Sequence, residues 1–170
     1  MNIENFVMDD DSNAKYYKTL FKVFHCNVLW VMNVNNHLLT MLATDKAVLE
    51  HYCDKKYYLH DPNINIKKNK LEKNQSPWKI SLGTDCVSFH KNGFLYDLYK
   101  MFHIEEFVSI EKRIGLECYC FRLFTRNNRF VFMNKLLNDM PIIKYFINSS
   151  IEKFKIDLDK QPGIHLTEME

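Results

Sequence analysis

The chain has 170 residues, of which 46% are hydrophobic and 14% aromatic, with only four glycines and four prolines. That composition excludes a disordered or low-complexity chain and suits one compact domain with a sizeable core. A formal net charge of +2 argues against a dominant nucleic-acid surface. The densest basic run, "KKNKLEK" at 67–73, reads as a solvated face, with docking of an acidic partner as the alternative.

Taken in chain order, "DSNAKYYKTLFKVF" spaces Tyr17, Leu20, Phe21 and Phe24 along one helical face, with Asp11 or Ser12 as a cap. In "NVLWVMNV", Val28, Trp30, Met32 and Val34 point one way and Leu29 and Val31 the other. Both faces are apolar, so this strand should be covered on both sides. "NVNNH" turns the chain and "HLLTMLAT" returns, which predicts a hairpin over 27–43. Thr44-Asp45 should cap a helix over 45–56, with Val48 and Tyr52 one turn apart. Asp61-Pro62 reads as the start of a further helix reaching about residue 73. "SPWKI" and "DCVSFH" are short strands or loops, and "GFLYDLYKMFH" is a helix.

A second hairpin is expected from "EEFVSIEKR" and "ECYCFRLFT", turning at Ile114-Gly115. Tyr119, Phe121 and Leu123 share one side of its last strand, and Cys118, Cys120, Arg122 and Phe124 the other. "NRFVFMNKLLNDM" is helical. Asp139-Met140-Pro141 should then interrupt it, with Pro141 opening another helix that repeats Ile143, Phe146, Ile147, Ile151, Phe154 and Leu158. The order predicts an α+β fold: an α/β/α sandwich around a central, mostly antiparallel sheet. It is similar to PAS- or GAF-like sensor domains, which hold a small molecule between the sheet and one helical layer.

Catalytic signatures are missing: no G-x-S-x-G, no phosphate-binding glycine loop and no telling carboxylate pair. No cofactor is expected and the chain reads as no enzyme. The five cysteines are scattered without a C-x-x-C pair, which reads as free thiols in a reducing compartment. Seven histidines accompany them. His25-Cys26, His51-x-Cys53 and Cys118-x-Cys120 lack the spacing of a structural zinc site, so buried thiols are preferred over a soft-metal or redox site. The N-terminus is polar and acidic and no apolar run nears the ~20 residues of a membrane helix. A soluble, cytoplasmic protein is expected.

One frame stands out. Tyr52, then eight residues, then Asp61-Pro62, then Trp78 resembles the ligand-binding domain of LuxR-type quorum-sensing regulators. "HLTEME" at 165–170 resembles the opening of that family's helix-turn-helix domain. Thr167 is placed as its N-cap, Glu170 as the capping-box partner and Leu166 as the staple. The expected organisation is a sensor domain over 1–158, then a linker ("DKQPG") and the start of a truncated DNA-binding domain over 159–170.

The resemblance implies that Tyr52, Asp61 and Trp78 line a pocket. Asp61 would accept an amide N–H of an acyl-homoserine lactone and Tyr52 would pack along its acyl chain. Trp30 and Met32 are candidates for the pocket floor. Two positions depart from the family's pattern: Val48 stands where a lactone-binding tryptophan is usual, and Thr44 falls near the usual tyrosine donor. A lactone carbonyl desolvated without a donor costs on the order of 1–3 kcal/mol. The resemblance is therefore to an orphan regulator with a more apolar small-molecule signal. It further implies a homodimer that binds DNA through the missing C-terminal domain. The apolar surface of the last helix (Phe146, Ile147, Ile151 and Phe154) is the expected dimer contact, unless its own core consumes it. Each candidate has a plainer reading. Asp61 can simply cap a helix, and Tyr52, Trp78, Trp30 and Met32 can simply fill a core. On that reading the chain is a ligand-free α/β/α interaction module. A void lined by Trp30, Tyr52, Asp61 and Trp78 separates the two.

Overall fold

The structure, a computed structural model, describes residues 21–22, 25–64 and 76–166. Strand β1 (Val28–Asn35) and β2 (Leu38–Ala43) form the first hairpin, turning at Asn36, whose φ of 48° asparagine tolerates. Helix α1 (Lys46–Asp54) and a 3₁₀ turn (Tyr57–His60) follow. Then come β3 (Trp78–Leu82), α2 (Val87–Asn92) and α3 (Phe94–Phe102). The second hairpin pairs β4 (Glu106–Ile114) with β5 (Glu117–Thr125), turning at Gly115 with φ 61°. Helix α4 (Arg129–Asp159) and the two-residue β6 (Ile164–His165) complete the described chain.

The six strands form one sheet in the order β3-β4-β5-β1-β2-β6, antiparallel throughout. The period-2 alternation of β1 and β5 splits their side chains between two cores. Val28, Trp30, Met32, Val34, Cys120 and Phe124 pack beneath α1, α2 and α3. Leu29, Val31, Tyr119, Phe121 and Leu123 pack beneath α4. The architecture is the expected α/β/α sandwich, with its two-sided central strands covered on both faces.

Several local expectations are corrected. Pro141 does not break the last helix, and α4 runs through it for 31 residues. Leu136, Ile143, Ile147, Ile151, Phe154 and Leu158 lie buried along one line, and their packing on the sheet holds both halves in register against the local propensity. "DCVSFH" contributes to a helix, α2, because Phe89 anchors a short turn into the core. Asp61 is not a helix N-cap. It ends the 3₁₀ turn, and its Oδ1 accepts the Asn63 N–H at 2.9 Å in a turn. The helix expected from Asp61 to about 73 falls largely on 65–75, outside the described residues, and most of the helix expected near the N-terminus also lies outside them.

Ile147, Ile151 and Phe154, expected at a dimer contact, are buried in the chain's own core, and Phe146 is partly buried beside them. At the C-terminal end, Ile164 and His165 pair with Leu39 and Leu38, and Leu166 is buried with its N–H donating to the His37 carbonyl. The sheet thus takes in residues beyond position 158. Thr167 and Glu170 lie outside the described residues.

Candidate functional site

The stretch "HYCDKKYYLHDP" is shaped by three local events. Asp45 Oδ1 caps α1 by accepting the Val48 N–H at 3.2 Å, so Val48, Leu49, Tyr52 and Cys53 face the core. Lys56 takes a left-handed conformation (φ 54°) that ends the helix. The 3₁₀ turn then delivers Asp61 back toward the sheet, beside Tyr52. The Tyr52 hydroxyl donates to Asp61 Oδ2 at 2.5 Å.

Arg122 reaches the same point from β5. Its Nη2 donates to Asp61 Oδ1 and Oδ2 at 2.7 and 2.6 Å and to Asn63 Oδ1 at 2.7 Å, and its Nε donates to Ser109 Oγ at 3.2 Å. Asn63 Nδ2 in turn donates to Glu111 Oε1 at 3.1 Å. The Arg122 and Asp61 side chains have no solvent exposure. Aromatic faces enclose the guanidinium, whose carbon lies 5.1 Å from the Phe89 ring centre, 5.4 Å from Phe107 and 5.6 Å from Trp30. Trp30 meets Tyr52 edge-on at 4.5 Å and stacks on Phe124 at 5.8 Å.

Burial, followed by the charge of Asp61, pushes the Tyr52 hydroxyl well above its ordinary pKa, so it stays a neutral donor. Burial acts most strongly, to lower the Arg122 pKa, but Asp61, Cys120 and Tyr52 together outweigh it and the net shift is upward. Two donors in this region, Trp30 Nε1 and Arg122 Nη1, are buried with no hydrogen-bond partner among the described residues.

The residues nominated from sequence are thus distributed. Trp30, Met32, Val48 and Tyr52 belong to the core between sheet and α1–α3, and Asp61 bonds Tyr52 within it. Here the rings interlock around Arg122. Thr44 sits at the end of β2, its hydroxyl accepting from the Leu29 N–H at 3.0 Å. Trp78 lies on the edge strand, packed against the α4-side core, with Lys112 and Lys144 Nζ 4.8 and 5.6 Å from its ring. Arg122 was missed. The available signal was a lone charge at an inward position of a strand, "CYCFRLF", which demands a buried counter-charge.

Beside this centre, a groove of about 450 Å³ runs between β3 and the first half of α4, lined by Asn63, Leu82, Val108, Met133, Leu136 and Met140 among others. Asn63 both walls the groove and holds Arg122.

A second polar cluster joins α1, the 3₁₀ turn and α3. Asp97 Oδ2 accepts from Tyr57 Oη at 2.5 Å and from His51 Nε2 at 2.7 Å, with Lys55 adding its charge. Partial burial acts to raise the Asp97 pKa, but these hydrogen bonds and charges outweigh it and lower it. A carboxyl depressed in the folded state contributes stability above its unfolded pKa of about 4, which is lost as pH falls through the folded value. Asp97→Asn should therefore cost about 1.5–3 kcal/mol at pH 7. Urea titrations should show the gap from wild type closing toward pH 3; a gap independent of pH would refute the charged role.

The cysteines are free. Burial pushes Cys26 and Cys53 up to about 12 and Cys118 up to about 11, so these thiols are not activated nucleophiles at neutral pH. Among the described residues no three His, Cys, Asp or Glu side chains are placed to hold a metal ion. No helix among them is long and apolar enough to cross a membrane.

No family model matches the sequence, and no curated protein matches it. Among solved structures the chain is similar to SdiA in complex with octanoyl-rac-glycerol, with a TM-score of 0.48 and 9% sequence identity over 79% of this chain. The chain spans 62% of the length of that one.

Proposed function

We propose that this chain is the signal-sensing domain of a LuxR-type transcriptional regulator, binding a small, largely apolar ligand between the sheet and α1–α3. One observation carries the reading: a fully buried Tyr52–Asp61–Arg122 centre with two unpartnered donors, Trp30 Nε1 and Arg122 Nη1. A core that only had to be filled gains little from such a centre. Apolar residues of equal volume are often as stabilising as a buried ion pair, and each unpaired buried donor costs about 1–3 kcal/mol. A ligand that completes the donors changes that balance. Drug-sized ligands need ~300 Å³ or more, so binding here separates α1–α3 from the sheet and shifts the population between two arrangements.

The regulator reading includes DNA binding through a further domain and a homodimer. Since Ile147, Ile151 and Phe154 are used internally, the face of α4 offered to a second copy is the outer one, where Phe130, Leu137, Ile142, Tyr145 and Ile156 are exposed. The interlocking of Trp30, Tyr52 and Phe124 around Arg122 favours a second reading, a ligand-free interaction module whose core is simply full.

Thermal denaturation against a broad library of acyl-homoserine lactones and cell extracts separates the two. A ligand at a hundred times its dissociation constant should add about 2.7 kcal/mol. A flat response across the library sinks the sensor and leaves the module.

A further inference from the structure

We infer that the ligand of this centre is recognised as a neutral hydrogen-bond acceptor, through Trp30 Nε1 and Arg122 Nη1, and not by donating an N–H to Asp61. The inference rests on the sensor reading above and fixes the polarity of its ligand. Both oxygens of Asp61 are already engaged, although Arg122 Nη2 has two hydrogens for three acceptors, so one of its N–H groups is shared. Oδ1 accepts from the Asn63 N–H and Arg122 Nη2, and Oδ2 from the Tyr52 hydroxyl and Arg122 Nη2. A ligand amide approaching Asp61 would have to displace one of these charge-assisted or buried bonds, with no net gain in hydrogen bonds.

The unspent capacity of Arg122 and Trp30 is of the other sign, and the unpaired acceptor nearby, Glu111 Oε2, faces Lys79 Nζ at 3.8 Å. Arg122 uses Nε on Ser109 and Nη2 on Asp61 and Asn63, leaving the two N–H groups of Nη1. The Trp30 indole N–H is the third free donor. Trp30 and Arg122 are directly opposed across β1 and β5, so their side chains rise from the same face at neighbouring positions. A carbonyl oxygen has two lone pairs, enough for one N–H from each group.

Charge then selects a neutral acceptor over an anion. Asp61 already neutralises Arg122, and Glu111 stands two hydrogen bonds away, through Asn63. A ligand carboxylate would bury a further negative charge beside an arginine whose charge is already met. Esters, ketones and lactones fit; fatty acids do not, and an amide N–H adds nothing.

The test uses three probes on the same ten-carbon acyl chain: methyl decanoate, N-methyldecanamide and sodium decanoate. Calorimetric titration of the chain should give ester binding at least equal to the amide, with decanoate weaker by ~tenfold or more. Trp30→Phe keeps one aromatic ring but loses the pyrrole ring with its N–H, and the cavity it leaves at this fully buried site should lower the unliganded melting temperature. It should also weaken the ester by ~tenfold, measured on the folded fraction. A purely structural Trp30 would leave the affinity of the folded fraction unchanged.

Tighter binding of the amide than of the ester, or of decanoate than of either, overturns the inference and leaves the sensor standing. So does undiminished ester binding by Trp30→Phe. If Trp30→Phe does not fold, the ester, amide and acid ranking on the wild-type chain decides alone. No binding by any of the three, together with a flat library response, removes the sensor reading itself and this inference with it.

Discussion

Arg122→Met should destabilise the domain by about 3–5 kcal/mol, read as a lower urea midpoint with an unchanged slope. The loss comes from Asp61 more than from Arg122. Methionine replaces much of the buried volume under Phe89 and Phe107, but it leaves the Asp61 carboxyl buried without its cation, a cost whether it stays charged or takes up a proton. The double variant Asp61→Leu/Arg122→Met should recover most of that loss. With both charges gone the core becomes an apolar one, and buried pairs replaced whole by hydrophobic residues are often neutral or stabilising. If the double variant is as unstable as the single, the cost lies in packing and the account of an uncompensated charge is wrong.

Phe107→Ala should have an effect of similar size, about 3–5 kcal/mol. Phe107 is fully buried, and its ring lies 5.3 Å from Phe89, 6.0 Å from Phe94 and 5.0 Å from Phe124. Its removal opens a cavity between the sheet and both short helices. The same ring explains the glycine at the end of β3. A Cβ on Gly83 would lie 2.3 Å from the Phe107 ring, in a segment fixed by the Gly83 N–H donating to the Phe107 carbonyl at 2.9 Å. Gly83→Ala should therefore cost about 1–3 kcal/mol by overpacking. Combined with Phe107→Ala it should cost far less, since the new methyl enters the space the ring vacates. Strictly additive denaturation energies in the double-mutant cycle would contradict the close approach.

The sheet was legible because alternation is a local signal. Both hairpins, and the faces of β1 and β5, follow from period-2 patterning and from turns at Asn36 and Gly115. What failed to read locally was decided by tertiary packing. Pro141 signals a break, yet a buried line from Leu136 to Leu158 carries α4 across it. Six residues of α2 are too few for periodicity to separate helix from strand, and only Phe89 docking settles the matter. In the candidate site, Tyr52 and Asp61 could be nominated together from the family pattern their frame resembles. Their partner could not. Arg122 is 61 residues from Asp61 along the chain, and nothing near it in sequence names the carboxylate it meets. Trp78 shared the sequence frame but lies on an edge strand, where register sends its ring to the opposite face.

The pairing of β6 with β2 has a mechanical consequence. Without it, anything attached after α4 would swing on the end of a 31-residue rod about 46 Å long. Instead the chain doubles back and is stitched to the sheet at Ile164 and His165, with Leu166 sunk into the core under α1–α3. Residue 166 is therefore fixed on the α1–α3 side of the sheet. Under the proposed sensor reading, a shift of the α1–α3 layer would bear on it directly, with α4 serving as frame and not as lever.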